Sequence, residues 1–255
     1  MTLVLGVDGC RSGWCCVLVD DERWAIVESF VRASFGDVLG TPATVICVDI
    51  PIGVLDRPGQ RACDVEARRM LGRGRASSVF PPPSRRALSF GDYRAASDVN
   101  MQLTGRRLNK QSFNISPKVR EVDEAMKPVM QERVREAHPE LSFRSLNGGV
   151  ALPSSKKTAG GRNHRWRLLR AVLAGLARKA TLPAELRGRC QADDYIDALA
   201  CAWTAIYAAG GTARRIPPEA EVDERDLRME MWLPEPTSRP LRRDQAARSR
   251  GPQAR

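Results

Sequence analysis

The sequence predicts an α/β domain built on a mixed five-stranded sheet that is flanked by helices. Four short runs rich in β-branched residues lie within the first fifty residues, and turn-forming residues bound each of them, as expected for strands. Beyond them, apolar residues recur with the spacing of amphipathic helices. With 255 residues, 42% of them hydrophobic, the chain is long enough for one large domain with an ordinary core.

The first strands are predicted to form an antiparallel meander. They occupy residues 3–8, 14–19 and 24–31, and the connecting segments GCRSG and DDE are short enough for hairpins. One or two helical turns at 34–39 then lead to a fourth strand at 45–49. The sheet thus begins with four strands in the first fifth of the chain.

The rest of the chain is predicted to be mainly helical. Helices are expected at 61–71, 93–103, 119–130, 164–179 and 194–208, with a fifth strand at 133–138. The stretch GRGRASSVFPPPSRR argues against regular structure and marks a mobile insertion between the fourth and fifth strands. The segment RDLRMEMWLP is predicted as a short docking element, and the domain is predicted to span 1–233, followed by a disordered Arg- and Pro-rich tail at 234–255.

Composition limits the classes of function. The net charge of +11 and the pI near 9.8 favour a nucleic-acid partner, but only six of the 41 basic residues are lysine, which indicates a general bias toward arginine. Seven cysteines form no C-x-x-C pair, so disulfides and zinc sites are not expected, and buried thiols fit a reducing cytoplasm. No apolar run approaches the ~20 residues that a membrane helix needs. We therefore expect a soluble cytoplasmic protein.

Carboxylates stand where several predicted elements begin or end. Asp8 closes the first strand, Asp49 closes the fourth, and Asp194 and Asp197 open the last helix, three residues apart and so on one face. If these ends meet, the carboxylates repel one another unless cations lie between them. Oxygen ligands of this kind favour Mg²⁺ or Mn²⁺. The acids therefore predict a metal site.

The order of elements is that of the ribonuclease H fold: a three-stranded meander, a fourth strand, helices, a fifth strand and a closing helix. In that fold the ends of the first and fourth strands lie side by side, and the last helix packs across them. Nucleases of this fold hold two metal ions about 4 Å apart, which activate water and stabilise the leaving oxygen.

Seven motifs in a fixed order carry a family resemblance between residues 4 and 234: VLGVDGCRSGW, VDIPIGV, SSVFPPPSR, SPKVREVD, REAHPELSFRSLNGG, SSKKTAGGR and DDYIDALACAW. Together they resemble an uncharacterised family, the domain-of-unknown-function family 429, described as predicted ribonuclease H-like nucleases. The motif D-x-x-D-A-L-A also resembles the last helix of Holliday-junction resolvases. The resemblance implies a metal-dependent nuclease that hydrolyses phosphodiester bonds in DNA or RNA with two Mg²⁺ or Mn²⁺ ions, and resolvase-like cleavage would favour a homodimer.

The resemblance implies roles for the acids. Asp8 would bridge the metals, Asp49 would bind one of them, and Asp194 or Asp197 would complete the set. From its position before the last helix we expect Asp193 to be the N-cap, which favours both Asp194 and Asp197 as ligands. Simpler interpretations exist for each, and for Asp49 the simpler one is an ordinary strand-end residue before Ile50-Pro51. Asp8 followed by glycine is a strong hairpin signal, and acids in a first helical turn complement the helix dipole without any metal.

Further candidates come from the strand at 133–138 and from basic loops. In an extended chain Glu136 and His138 point to one face, so Glu136 is a candidate additional ligand and His138 a candidate proton shuttle or phosphate contact, although a lone histidine is more often structural. Four basic residues are candidates for substrate binding, with a solvated charged face as the alternative: Lys118, Lys156, Lys157 and Arg75.

Two rival functions fit parts of the sequence. The motif VDGCRSGW also resembles the Asp-Gly phosphate loop of actin-like and sugar-kinase-like phosphotransferases, although no second such loop recurs. A non-catalytic nucleic-acid-binding module of the same fold would use the positive charge, but it would have no reason to keep a repulsive acid cluster.

Overall fold

A mixed five-stranded sheet forms the centre of the computed structural model, which describes residues 2–235. The strands are β1 (Leu3–Cys10), β2 (Gly13–Asp20), β3 (Ala25–Arg32), β4 (Val45–Asp49) and β5 (Val134–Glu136), in the spatial order β3-β2-β1-β4-β5. Strands β1, β2 and β3 pair antiparallel, whereas β4 is parallel to β1 and β5 is parallel to β4. The predicted mixed sheet and its meander are confirmed.

Seven α-helices surround this sheet in the described range 2–235: α1 (Phe35–Leu39), α2 (Ala62–Leu71), α3 (Tyr93–Thr104), α4 (Lys110–Ala125), α5 (Pro139–Leu146), α6 (Ala159–Val172) and α7 (Ala192–Ala209). Short 3₁₀ turns add Ala76–Ser78, Arg86–Ser89, Pro128–Glu132 and Ala184–Leu186. No helix in this range is both long and apolar enough to cross a bilayer.

The sheet separates two hydrophobic cores because successive side chains of a strand point to opposite faces. Val4 and Cys10 of β1 belong to the core beneath α7, while Leu5 and Val7 belong to the core beneath α1 and α4. Asp8 lies on the same face as Val4, which is the face that α7 covers. The alternation of β1 therefore directs the Asp8 carboxylate toward the last helix. The strand predicted to end at Asp8 extends to Cys10, so Asp8 lies two residues before its end.

Gly6 lets α7 lie directly against β1. A Cβ atom at this position would lie 2.1 Å from the Ala198 carbonyl oxygen and 2.1 Å from the Ala202 nitrogen, closer than any real contact. Only glycine permits this approach of helix and strand backbones. Because Gly6 and Asp8 share a face, the same contact brings the first turns of α7 to the end of β1.

Two helices differ from their predicted bounds. The helix predicted at 119–130 begins at Lys110, because the Asn109 side chain accepts a hydrogen bond from the Ser112 N–H at 2.7 Å and so caps it, and Pro117 lies inside the helix rather than before it. The helix predicted at 164–179 is α6, which ends at Val172. The chain then pairs with the edge of β3, since the Ile26 N–H donates to the Ala174 carbonyl at 3.1 Å.

Three elements were not predicted. Helix α5 follows directly after residue 138, and a second, two-stranded sheet pairs β6 (Ala213–Ile216) with β7 (Met231–Pro234), so the predicted docking segment contains a strand. Pro234 and Glu235, assigned to the predicted tail, are ordered: Pro234 ends β7, and Glu235 Oε1 lies 2.9 Å from Arg214 Nε. The rest of the predicted tail lies outside the described residues.

Candidate metal centre and substrate cleft

Three of the predicted acids meet at one point. Asp8 and Asp49 are direct neighbours in the pairing of the parallel strands β1 and β4, and Asp197 reaches them from α7. One carboxylate oxygen from each of the three lies within 4.8 Å of the other two. We call Asp8, Asp49 and Asp197 the acid group. Its geometry can hold a cation among three oxygen ligands.

Burial makes the acid group electrostatically costly. Asp197 is only 1% exposed, and loss of solvation raises the pKa of Asp49 and of Asp197 to about 6 each. The pKa of Asp8 is raised well above its usual value, first by burial and then by the charges of Asp49 and Asp197. Carboxylates held together in this way repel one another unless positive charge compensates them.

Lys156 supplies part of that positive charge. Its ammonium forms an ion pair with Asp197 Oδ2 and lowers the pKa values of Asp8 and Asp49 through its charge. The sequence predicted Lys156 as a substrate contact, whereas the structure places it against the acid group. The second carboxylate oxygen of Asp197, Oδ1, is buried and accepts no hydrogen bond from the described residues. Buried anionic oxygens usually have a hydrogen-bond partner, so this oxygen is available to bind a cation.

Asp194, the fourth predicted ligand, caps the last helix in the structure. Its Oδ2 accepts a hydrogen bond from the Gln191 N–H at 2.8 Å, and the Gln191 side chain completes a capping box at the start of α7. Gln191 is therefore the N-cap, and the assignment of Asp193 to that position was wrong. Burial raises the pKa of Asp194 to about 6, but Asp194 is not part of the acid group, so its predicted role as a ligand finds no support.

Glu136 lies on the other face of the sheet from the acid group. It pairs with Val48 across β4 and β5, and Val48 belongs to the core opposite α7. Its carboxylate forms a buried ion pair with Arg61 and accepts a hydrogen bond from the Ile52 N–H at 2.7 Å. Burial raises the pKa of Glu136 to about 7, against the effect of Arg61. These contacts favour a structural role over the predicted role as a further ligand.

Both ring nitrogens of His138 are engaged in the structure. Nδ1 accepts a hydrogen bond from the Glu140 N–H at 3.2 Å and so caps α5, which leaves the ring proton on Nε2, 3.3 Å from the Ser78 carbonyl oxygen. Burial lowers the pKa of His138, which favours this neutral form. The contacts hold the imidazole in place and favour the structural alternative over the predicted proton shuttle.

Glu140 and Arg165 are site residues that sequence reasoning did not identify. Glu140 Oε1 and Oε2 accept hydrogen bonds from Arg165 Nη2 at 2.6 and 2.8 Å, and both side chains are buried. The charge of Glu140 raises the pKa values of Asp49 and Asp197, so this carboxylate lies in the electrostatic environment of the acid group. The only sequence signal was a glutamate directly after His-Pro, where a helix begins.

The acid group opens into a cleft of about 720 Å³. The wall combines cations and amides with apolar side chains; these include Arg11, Arg75, Lys118, Lys157, Gln111, Asn114, Val79, Phe80 and Ile115. All four predicted basic residues thus line the cleft, with Lys156 beside the acids. Such a wall can contact a phosphate group and an adjoining apolar or aromatic group together.

Two of these basic residues already form contacts with other side chains or with the backbone of the protein. The Lys118 ammonium lies 4.4 Å from the centre of the Trp14 ring and 3.3 Å from Glu121 Oε2. Arg75 donates from Nε to the Leu152 carbonyl oxygen at 2.8 Å. The Lys118 side chain remains about a quarter exposed and lines the cleft, so it can still contact an anionic ligand.

Comparison with known proteins gives a family but no activity. Residues 6–222 match the model of a family described as protein of unknown function (DUF429). No curated protein and no solved structure is significantly similar to the chain. The match covers the acid group, the capping residues of α5 and α7, and most of the cleft. Because the match spans most of its length, the chain belongs to the DUF429 family.

Proposed function

We propose that this protein is a divalent-metal-dependent phosphodiesterase of ribonuclease H-like fold that hydrolyses nucleic acid. One observation carries the proposal: carboxylates from near the end of β1, from the end of β4 and from the second turn of α7 converge within 4.8 Å. The sheet order β3-β2-β1-β4-β5, with the meander antiparallel and the other strands parallel, supports the fold because it is the order of ribonuclease H.

The residues of the acid group suit Mg²⁺ or Mn²⁺. All the ligand atoms are carboxylate oxygens, which these hard cations prefer, and within residues 2–235 no hydrogen-bond donor reaches the buried Asp197 Oδ1. Asp8 and Asp49 stand on neighbouring strands of one sheet, so the ligands are held rigidly in place. A bound ion would supply an activated water and would stabilise charge on the leaving oxygen.

The cleft wall supplies the substrate contacts in this proposal. Lys118 and Lys157 offer ammonium groups to phosphate oxygens, and such contacts orient a nucleic acid without reading its sequence. Phe80 and Ile115 offer an apolar surface on which a base or sugar can rest. These side chains would bind and orient the nucleic acid, while the acid group lies at the point where the phosphodiester would react.

A second candidate is hydrolysis of a small phosphorylated substrate by the same group. The cleft volume of about 720 Å³ favours it, since sites for small molecules typically enclose about 300–1,000 Å³. A cleft of this size also accommodates the end of a single strand more readily than a duplex. The two candidates share the acid group and differ only in what the cleft holds.

Cleavage of a substrate panel tests the proposal. Labelled single-stranded and duplex DNA, RNA, an RNA–DNA hybrid, a four-way junction and a chromogenic phosphodiester are incubated with Mg²⁺ or Mn²⁺. We expect wild type to hydrolyse at least one of them, chelator to abolish this, and Asp8→Asn to reduce the rate by at least about a hundredfold. Asp193→Asn is the matched control, because Asp193 is an acid in the first turn of α7 that does not belong to the acid group.

The outcomes separate the alternatives. Hydrolysis of the chromogenic diester alone would favour the small-molecule candidate. Metal-independent binding of nucleic acid without hydrolysis, equal in wild type and Asp8→Asn, would refute the enzyme proposal and favour a binding module.

A further inference from the structure

We infer that Lys156 is a built-in cation of the acid group, and that the site therefore holds one divalent metal ion, with the lysine ammonium in place of a second. The inference rests on the proposed function, whose metal site it refines. Three observations support the inference: the contact of Lys156 with Asp197, the rigid loop that carries Lys156, and the charge balance of the site.

The ammonium of Lys156 acts on all three acids. It forms an ion pair with Asp197 Oδ2, and its charge offsets the negative potential at both Asp8 and Asp49. Asp197 is 1% exposed, so its partner is not an interchangeable surface contact. The neighbouring Lys157 lines the same cleft but forms no ion pair within residues 2–235, which shows that proximity alone does not bring a lysine to the acids.

Arginine side chains fix the loop on its N-terminal side. Arg75 donates to the carbonyl oxygen of Leu152 at 2.8 Å and to that of Pro153 at 3.2 Å. Arg165, whose Nη2 forms the buried pair with Glu140, donates from Nη1 to the Ser154 carbonyl oxygen at 2.9 Å. Charge-assisted hydrogen bonds of this kind are stronger than neutral ones and define the path of the backbone.

The loop is equally fixed on its C-terminal side. Arg162 Nη1 donates to the carbonyl oxygens of Lys156 at 3.4 Å and Lys157 at 2.9 Å. At Gly161 a Cβ atom would lie 1.9 Å from the Ser155 carbonyl oxygen, so the loop packs directly on the start of α6. Every backbone carbonyl from residue 152 to residue 157 is therefore held, by arginines or by the N-terminal turn of α6. The lysine is presented to the acids by a rigid support.

Charge balance then limits the number of metal ions. Three carboxylates and one ammonium carry a net charge of −2, which a single divalent cation neutralises. Two divalent cations together with the ammonium would leave a net charge of +2 in a largely buried site, and uncompensated buried charge is costly. Lysine is a compact point charge with three donors, so it can also hold a phosphate oxygen of the substrate, as a second metal ion would.

Titration calorimetry with MnCl₂ tests this inference. The full chain is compared as wild type, as Lys156→Met, and as Lys157→Met, the matched control from the same loop. We expect wild type and Lys157→Met to bind one Mn²⁺ in the acid group. Lys156→Met removes the competing charge, so we expect it either to bind a second ion or to bind the first at least about tenfold more tightly.

The outcomes distinguish this inference from the proposed function. Two ions bound by wild type would overturn the inference while supporting the metal site. Unchanged stoichiometry and affinity in folded Lys156→Met would also overturn it. Binding by none of the three proteins would overturn both. The count in wild type decides between one ion and two even if Lys156→Met does not fold.

Discussion

Replacement of Asp49 by asparagine should stabilise the metal-free protein at high pH. Burial raises the pKa of Asp49 from 3.8 to about 6 in the folded protein. Because the folded carboxyl binds its proton more tightly than the unfolded one, folding stability falls as the pH rises from about 4 to about 6. The sign is thus opposite to that of a salt-bridged aspartate.

The magnitude follows from the difference between the two pKa values. About two pH units correspond to up to about 3 kcal/mol of stability lost by wild type at pH 8 relative to pH 4. Asp49→Asn cannot ionise, so it should recover up to this amount at pH 8 and almost none at pH 4. For a domain of this size each kcal/mol moves the melting temperature by about 2–4 °C, which gives a shift of up to about 6–12 °C.

Thermal melts in chelator at pH 8 and pH 4 measure this effect. Glu28→Gln on the exposed edge of β3 is the control, for which we expect little change at either pH. Added Mg²⁺ should stabilise wild type at pH 8 and should stabilise Asp49→Asn much less. If Asp49→Asn were destabilised equally at both pH values, ionisation of the buried Asp49 would not destabilise the metal-free fold, and the prediction would be refuted.

Three further predictions concern the framework of the site. Gly6→Ala should destabilise the fold by at least about 3 kcal/mol in urea denaturation and abolish Mn²⁺ binding, because its Cβ would collide with Ala198; near-native stability would contradict the close packing of α7. Arg61→Met should cost about 3–5 kcal/mol by leaving Glu136 buried without its partner, and adding Glu136→Gln should recover much of this in a double-mutant cycle. His138→Asn should keep the cap of α5 and lower the hydrolysis rate by less than about tenfold. A loss of about a thousandfold at unchanged melting temperature would instead favour the predicted role of His138 as a proton shuttle.

The meander and two members of the acid group could be predicted because their signals are local. A run such as VICVD contains its own alternation and its terminal acid, so Asp49 could be placed at a strand end without tertiary information. Asp8 could be placed only near a strand end, because β1 continues to Cys10. The choice between Asp194 and Asp197 could not be made in this way. Both lie on the same turn of α7, and only the capping hydrogen bond to Gln191 separates their roles.

The remaining differences come from contacts between distant segments. The role of Glu136 depends on the register of β5 against β4, which turns this side chain away from Asp49 toward Arg61. The contact of Lys156 with Asp197 joins residues 41 positions apart through a loop whose path is set by arginines elsewhere in the chain. The early end of α6 reflects pairing of Ala174 with the edge of β3, which overrides helical periodicity.

The central claim, that the acid group is a metal centre, is tested most directly by anomalous diffraction from a crystal grown with Mn²⁺. We predict one anomalous peak bound by carboxylate oxygens of Asp8, Asp49 and Asp197, with the Lys156 ammonium close by and Asp194 still bonded to Gln191. An acid group without anomalous density at saturating Mn²⁺, or Mn²⁺ bound only elsewhere, would contradict the claim.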